Sequence, residues 1–493
     1  MSENTDPQKP VVESSPISGS APAEAEFQRV PGTTMTQVIM NSANIIDNAD
    51  AQLFPNVFNQ VQTDFASHGV TITIGQLGWI VTIRSLLQAV TTPMWGWWND
   101  RHSRKKVLAF GCILWGVATI LMATSMSFVE LLVYRSVTGV GLAVIIPTTQ
   151  SVVADLIPPA YRGRAFGWLA FTQVIGVIAG TLFATELVNS VPSNWRLVFY
   201  IWGVISIGIG LAIYFFATDP VRGLSDPEGF FKKIQEGHGE QQVQRKAFKE
   251  ILANKTFVTI VAQGVIGSLP WNAILFMVTW FEYIGFDPTT AGIMFVVIAI
   301  GAALGNFYGG VFGDMAARKS PKYGRIAVAQ ISAVMGIPLV WVIFILIPPV
   351  MASIYLYVII GGVTGFLISW PSAAANLPIF TEIFEPEIRG TVYSVDRVFE
   401  GSFSAFGTIF VAWIASALGY ITPGANITDF GALPYATHNA HVLAWGMFLM
   451  CVIPWIISSS IYTLVYIYYP KDFAKMRAIL RARMQEKANG GST

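Results

Sequence analysis

Apolar residues run along the chain in twelve stretches of roughly 20 or more, separated by short polar segments. About 20 apolar residues, at about 1.5 Å of rise each, cover the roughly 30 Å of hydrocarbon in a bilayer, so each stretch reads as one transmembrane helix. They fall at about residues 35–63, 73–98, 106–126, 129–157, 165–187 and 196–218, then at about 257–284, 289–312, 325–347, 350–380, 390–419 and 441–469. The expected fold is an all-α membrane protein whose twelve spans form two six-helix bundles, residues 34–218 and 257–469.

Residues 219–256, between the bundles, are polar and carry Lys232, Lys233, Arg245, Lys246 and Lys249 among acids, which predicts a cytoplasmic central loop. Residues 1–33 are rich in Ser, Pro, Ala and Glu and poor in aromatics, so they bury too little apolar surface to offset ordering and read as a disordered cytoplasmic tail. They lack the basic start, apolar core and cleavage site of a signal peptide, which leaves the first span to direct insertion. Residues 470–493 form a basic cytoplasmic tail. Phe473, Met476, Ile479, Leu480 and Met484 share one helical face there, suited to an anionic leaflet or to a solvated tail.

Positive residues mark the cytoplasmic loops. Arg101, Arg104, Lys105 and Lys106 follow the second span, Arg162 and Arg164 the fourth, Arg318, Lys319, Lys322 and Arg325 the eighth, and Arg389 the tenth. The opposite loops, Ala66 to Ile72, Gly285 to Pro288 and Ile421 to Ala440, contain neither Lys nor Arg. Both ends of the chain are therefore expected inside. The sequon Asn426-Ile427-Thr428 lies in an outward loop, a glycosylation acceptor in a eukaryotic host.

The halves repeat. GWWNDRHSRKK, with Gly96, Asp100, Arg101, Arg104 and Lys105, lies between spans two and three, and GVFGDMAARKS, with Gly310, Asp314, Arg318 and Lys319, between eight and nine. AYRGRAFG closes span four and EIRGTVYS, with Arg389, closes span ten. Matched motifs at matched places imply duplicated six-helix units. Gly lets helix ends approach, while Asp100 accepts from Arg101 or Arg104, so the device reads as a charged latch that can be made and broken.

This arrangement resembles the major facilitator superfamily, whose signature G-x-x-x-D-R-x-x-R-K is matched from Gly96 to Lys105; a second signature, an Arg early in helix four followed by G-x-G, is matched by Arg135, Gly139 and Gly141. The likeness runs from about Met35 to Pro470. Within the superfamily the first half looks like the spinster-related branch, through NIID at Asp47, NDRHSRKK, GVGL at Gly139 to Leu142, and DPVRG at Asp219 to Gly223. It departs from that branch at Leu142, where spinster-like carriers have Glu, and at Asn48, where they have Arg. NADAQLFP, SVVADLIP and YSVDRVFEG are similar to a little-characterised plant group of facilitator-type proteins. The resemblance implies a carrier working by alternating access, with Asp47 and Arg135 at positions linked to coupling and substrate binding.

Several charges fall inside the spans. Asp47 and Asp50 share a face of the first helix with Asn44, Arg84 lies midway along the second, and Arg135 lies in the outer part of the fourth. An ionised side chain at that depth costs at least about 2.5–3.5 kcal/mol, so such groups face a wet cavity or one another. Two readings follow: an ion-pair cluster that fixes helix packing, or a site where an Asp that gains and loses an Arg partner loads and releases a proton. Span eleven adds Asp396, Arg397 and Glu400, two acids to one base, read first as a gate or latch with Arg389 and second as a protonation site. Pro147, Pro270 and Pro371 loosen spans four, seven and ten. Unwound backbone lines cavities, which makes Gln173, Gln263, Asn272 and Asn376 candidate solute contacts. Gly167, Gly176 and Gly180 give span five a small-residue face, and the absence of the Gly-Pro pairing of drug antiporters favours symport or uniport.

Composition narrows the function further. Of 493 residues 53% are hydrophobic and 12% charged, and the net charge of +1 offers no basic face for nucleic acid. The two cysteines sit in apolar runs, and the five histidines lie in tails, loops or span edges, so no metal site, cofactor or enzyme chemistry is expected. The expectation is a monomeric multi-pass carrier, in a plasma or organelle membrane, that moves a small-molecule substrate by proton symport and touches only membrane lipid besides. The alternatives are a facilitative uniporter, a lysolipid or sphingolipid exporter of spinster type, and a non-transporting receptor.

Overall fold

The computed structural model of the chain describes residues 33–157, 162–190, 194–219, 250–384 and 388–490. Nearly all of the tail expected at 1–33 and most of the central loop expected at 219–256 lie outside the described residues. Among the described residues all regular structure is helical. The first span is Thr33–Leu53, resumed as Phe58–Ser67 after a break at Pro55; the second is Ile74–Arg101, the third Arg104–Ala123 and the fourth Phe128–Leu142 with Ile145–Leu156. Arg162–Ser190 and Trp195–Phe216 complete the first half. In the second half, span seven comprises Lys255–Gly267, Leu269–Ala273 and Met277–Ile284, and spans eight and nine are Pro288–Lys319 and Gly324–Trp341. Span ten is Ile354–Ile368 with Leu377–Ile383, span eleven Arg389–Ser404 with Phe406–Ala417, and span twelve begins the helix Ala436–Gly490.

Ten of these spans are long and apolar enough to cross a membrane. The first two are more polar, span one carrying Asp47 and Asp50 among five amides and span two Arg84, charges the fold neutralises internally rather than exposing to lipid. Large apolar side chains cover the outside instead, among them Phe307, Tyr355 and Phe215. Polar caps stop helices at the membrane faces. Thr73 and Gln76 form a capping box at the start of span two, and Asn194, Asn254 and Asp287 each accept a backbone N–H at the start of spans six, seven and eight. Between spans seven and eight the chain turns at Gly285, whose φ of 108° only glycine adopts without cost.

The helices break where the sequence loosens them. Span four breaks beside Pro147, span seven around Pro270, and span ten passes through a π-helical turn, Ser372–Asn376, just after Pro371. The breaks at Pro55 and Ala405 are additional.

The packing has the twofold repetition that the paired motifs imply. Span one lies on span five as seven lies on eleven, two on four as eight on ten, and three on six as nine on twelve. Glycines repeat with it: a Cβ on Gly139 would overlap the Arg84 carbonyl in spans four and two, and one on Gly365 would overlap the Ile298 carbonyl in spans ten and eight. The small-residue face of span five behaves as expected, with Gly176 and Gly180 against the Ile45 and Ala49 carbonyls of span one. The halves meet where span two packs on eleven and span five on eight. In the basic tail, Met476 is buried and Phe473 stacks near Tyr469 with Arg477 4.4 Å above its ring, so the first turns of the tail return to the bundle.

Candidate functional site

Along the seam between the halves lies a cavity of about 560 Å³. The first half lends it Asn48, Gln52 and Gln173; the second lends Gln263, Asn272, Asn306, Asn376, Arg397 and Glu400, with Trp271 and Trp455. The broken helices provide most of this polarity, as unwound backbone should. Asn272 sits in the break of span seven, whose carbonyl accepts from Thr408 of span eleven at 2.9 Å, and Asn376 ends the π turn of span ten. Ser458 donates to Gln263 Oε1 at 3.0 Å and Tyr462 donates to Asn376 Oδ1 at 2.8 Å. All four amides expected to contact solute, Gln173, Gln263, Asn272 and Asn376, thus line one space.

The four deep charges of the first half lie elsewhere. Asp50 accepts from Arg135 Nη1 at 2.9 Å and from Trp115 Nε1 at 3.2 Å, and its backbone carbonyl accepts from Arg135 Nη2 at 3.0 Å. Arg84 Nη2 stands 3.3 Å from Asp50 and 3.4 Å from Asp47, and Gln88 donates to Asp47 at 3.1 Å. All four charged residues are buried. Two carboxylates and two guanidinium groups neutralise one another inside the first bundle, behind the wall rather than on it, because Asn48 and Gln52 take the cavity-facing side of the same helix. Asn44 also faces away, donating to Thr172 and the Leu169 carbonyl of span five. Of the two readings of these charges, the contacts favour mutual neutralisation over a place on the cavity wall.

Span eleven does reach the cavity. Arg397 and Glu400 line it, while Asp396 is buried one turn from Glu400 with its Oδ1 unpartnered. The Glu400 carboxylate lies directly against Gly264 of span seven, where a Cβ would collide with it. One acid and one guanidinium therefore lie at the edge of the solute space, with a second acid buried behind them.

On the outer side the halves are bonded together by residues that sequence reasoning missed. Glu282 of span seven is buried and accepts from Asn59 Nδ2 at 2.6 Å and Gln60 Nε2 at 2.9 Å, both in span one. Tyr420 donates to Gln62 at 3.1 Å, and Asn189 and Glu186 of span five bond Thr289 of span eight at 3.0 and 2.8 Å. Phe58 and Phe276 close the same layer, their rings 5.0 Å apart. The only available signal was a Glu within an aromatic apolar run; its partners are amides more than 200 positions away.

Glu282→Ala would leave two buried amide donors without an acceptor, at about 1–3 kcal/mol each. The expected result is a shift toward the outward-open form. A cysteine at the buried Val57, labelled from outside with an impermeant maleimide, should react at least about tenfold faster in the Glu282→Ala background. Cys112 and Cys451 are buried and add little background. Unchanged labelling would remove Glu282 from the closure.

On the cytoplasmic side the described residues of the expected latches make the following contacts. Arg104 pairs with Asp219 at 3.3 Å and donates to Ser151 at 2.9 Å, Ser103 donates to Asp219, and Lys105 reaches the Ala217 carbonyl. Asp314 pairs with Arg325 at 2.8 Å rather than with Arg318, and Arg325 also holds Glu382. Each of these ties joins helices of one half. Arg101 lies over the Trp97 ring, Arg318 is exposed, and among the described residues nothing comes within 4 Å of where a Cβ on Gly96 would stand; Ala373 approaches Gly310. The side chains of Asp100 and Arg389 lie outside the described residues.

Comparison with known proteins completes the picture. A model of the Major Facilitator Superfamily matches residues 42–408. The cis,cis-muconate transport protein of Acinetobacter baylyi is 24% identical over 408 residues, covering 80% of this chain and 91% of that protein. Protein spinster of Drosophila melanogaster is 23% identical over 241 residues, 48% of this chain and 37% of its own. Among solved structures, a bacterial homologue of the human lysosomal transporter spinster, in an inward-facing and unoccupied conformation, superposes with a TM-score of 0.72 at 19% identity, covering 90% of this chain and 98% of its own.

Proposed function

The chain belongs to the Major Facilitator Superfamily, and from the amide-lined cavity at the seam of its two halves we propose that it carries a small organic solute across the membrane by alternating access, with proton symport as the mode. The carrying observation is asymmetry. The outer side is sealed by Glu282, Asn59, Gln60, Gln62 and Tyr420 across the seam, whereas the cavity lies on the cytoplasmic side of that seal. A binding space open to one face and closed toward the other by breakable bonds is the inward-facing state of a rocking carrier. The paired ties within each half, Arg104–Asp219 and Arg325–Asp314, suit halves that move as bodies.

The proton fits best on span eleven. Glu400 borders the solute space beside Arg397, with Asp396 buried one turn behind it, so two acids share a single guanidinium and a proton on either removes an uncompensated charge. The ion-pair network of Asp47, Asp50, Arg84 and Arg135 is already neutral, and so serves better as the rigid frame of the first bundle.

Reconstituted in proteoliposomes with a pH-sensitive dye inside, the protein should acidify the lumen when a transported solute from a panel of small acids, sugars and amines is added outside. A protonophore should abolish solute accumulation but not counterflow exchange. Accumulation that ignores the protonophore would remove proton coupling and leave a uniporter. Selective efflux of lysophospholipid would favour the spinster-type alternative, and binding without any flux a receptor.

A further inference from the structure

The polar groups of the cavity differ in what they offer. Gln263 is buried, and Ser458 holds its amide oxygen, so its Nε2 is an N–H donor that finds no protein partner. Asn376 repeats the arrangement one helical turn away: Tyr462 occupies its oxygen, which leaves Nδ2 to the cavity. Ser458 and Tyr462 are four residues apart on one face of span twelve, so the two amides are fixed as neighbours with their donors free. Arg397 is exposed at the same wall and makes no ion pair among the described residues. Gly264, next to Gln263, touches Glu400, which is one turn from Arg397, so Arg397 lines the same cavity about one helical turn from the level of Gln263.

We propose that Gln263, Asn376 and Arg397 form a subsite that grips a carboxylate of the transported solute, which makes the substrate class small carboxylic acids with an apolar body. A planar carboxylate has two oxygens and about four acceptor directions, enough for a guanidinium and two amide donors together. A doubly charged phosphate would need a second cation, and the nearby acids oppose it. Beyond the donors the wall turns apolar, with Val174, Val177, Phe295 and Ile298 facing Trp271 and Trp455, which suits an aliphatic or aromatic remainder. The subsite deepens the carrier reading and rests on it.

The test uses the full chain in nanodiscs and quenching of its tryptophan fluorescence, Trp271 and Trp455 being in the wall. Hexanoate, benzoate and phenylacetate are compared with the matching amides and amines. Carboxylates should bind and the isosteric amides should bind at least about tenfold more weakly, as loss of a charge-assisted contact predicts. Arg397→Gln and Gln263→Glu, each first shown to keep the wild-type melting temperature, should lose at least about tenfold in carboxylate affinity, and Gln263→Glu should gain affinity for the amines. Thr124→Ala, at the outer end of span three and away from the cavity, should keep the preference. Amides binding as well as carboxylates, no carboxylate response at tens of millimolar, or intact carboxylate affinity in both variants would each overturn the subsite. Flux of a neutral or cationic solute in liposomes would then leave the carrier reading standing, whereas absence of flux for every solute would remove that reading instead.

Discussion

Asp50→Asn is expected to destabilise the folded protein by about 3–5 kcal/mol, because it leaves two guanidinium groups to a single remaining carboxylate inside a low-dielectric bundle. Asp50 is fully buried, and it holds Arg135 through both its side chain and its backbone carbonyl while also standing 3.3 Å from Arg84. The readouts are the yield of monodisperse protein and its melting temperature in detergent. Truncating the partner, as in Arg135→Met, should do comparable damage by stranding the acid. The joint replacement Asp50→Leu with Arg135→Met keeps the site neutral, with Arg84 still facing Asp47, and should recover most of the lost stability. A recovered double variant that still accumulates solute would confine the network to a structural role. One that folds and exchanges solute but no longer accumulates it would return the coupling proton to span one. A double variant as unstable as either single one would show that the pair is not the source of the cost.

The reach of the sequence is clearest on the first helix. Its polar residues could be assigned to a face, and the bilayer argument that charges at that depth must meet water or each other was sound. Which of the two they meet depends on the neighbour beyond that face. Asp47 is about 100° and Asp50 about 160° of helix rotation from Asn48. The Asp pair turns toward Arg84 and Arg135, while Asn48 faces the cavity. The same limit applies to the latches. Asp314 and Arg104 were legible as charges at helix ends, but their partners Arg325 and Asp219 come from other turns of the chain. Features that depend on local chemistry were recovered more fully: ten of the spans by hydropathy, the repeat by its paired motifs, and the breaks at Pro147, Pro270 and Pro371. The outer closure was not, because Glu282 finds Asn59 and Gln60 only when the halves come together.

Glu400→Gln is expected to reduce proton-driven accumulation about a hundredfold or more while leaving solute exchange within a few-fold of wild type. The substitution keeps shape and the contact with Gly264, so it removes a titrating group without adding bulk. In the inward-open form, a proton leaving Glu400 for the cytoplasm restores a carboxylate one turn from Arg397, where it competes with the solute for the guanidinium. Release of the proton thereby promotes release of the solute, which is the thermodynamic linkage that symport requires. With Gln at this position the competition disappears, and the solute crosses without a proton. Asp396→Asn should act in the same direction more weakly, since Asp396 reaches the solute space only through Glu400. If span eleven is instead a mechanical latch, either substitution should slow exchange and accumulation in equal proportion, because both need the rocking step. Measuring both fluxes in the same vesicles separates the cases, and an equal loss would take the proton away from this helix.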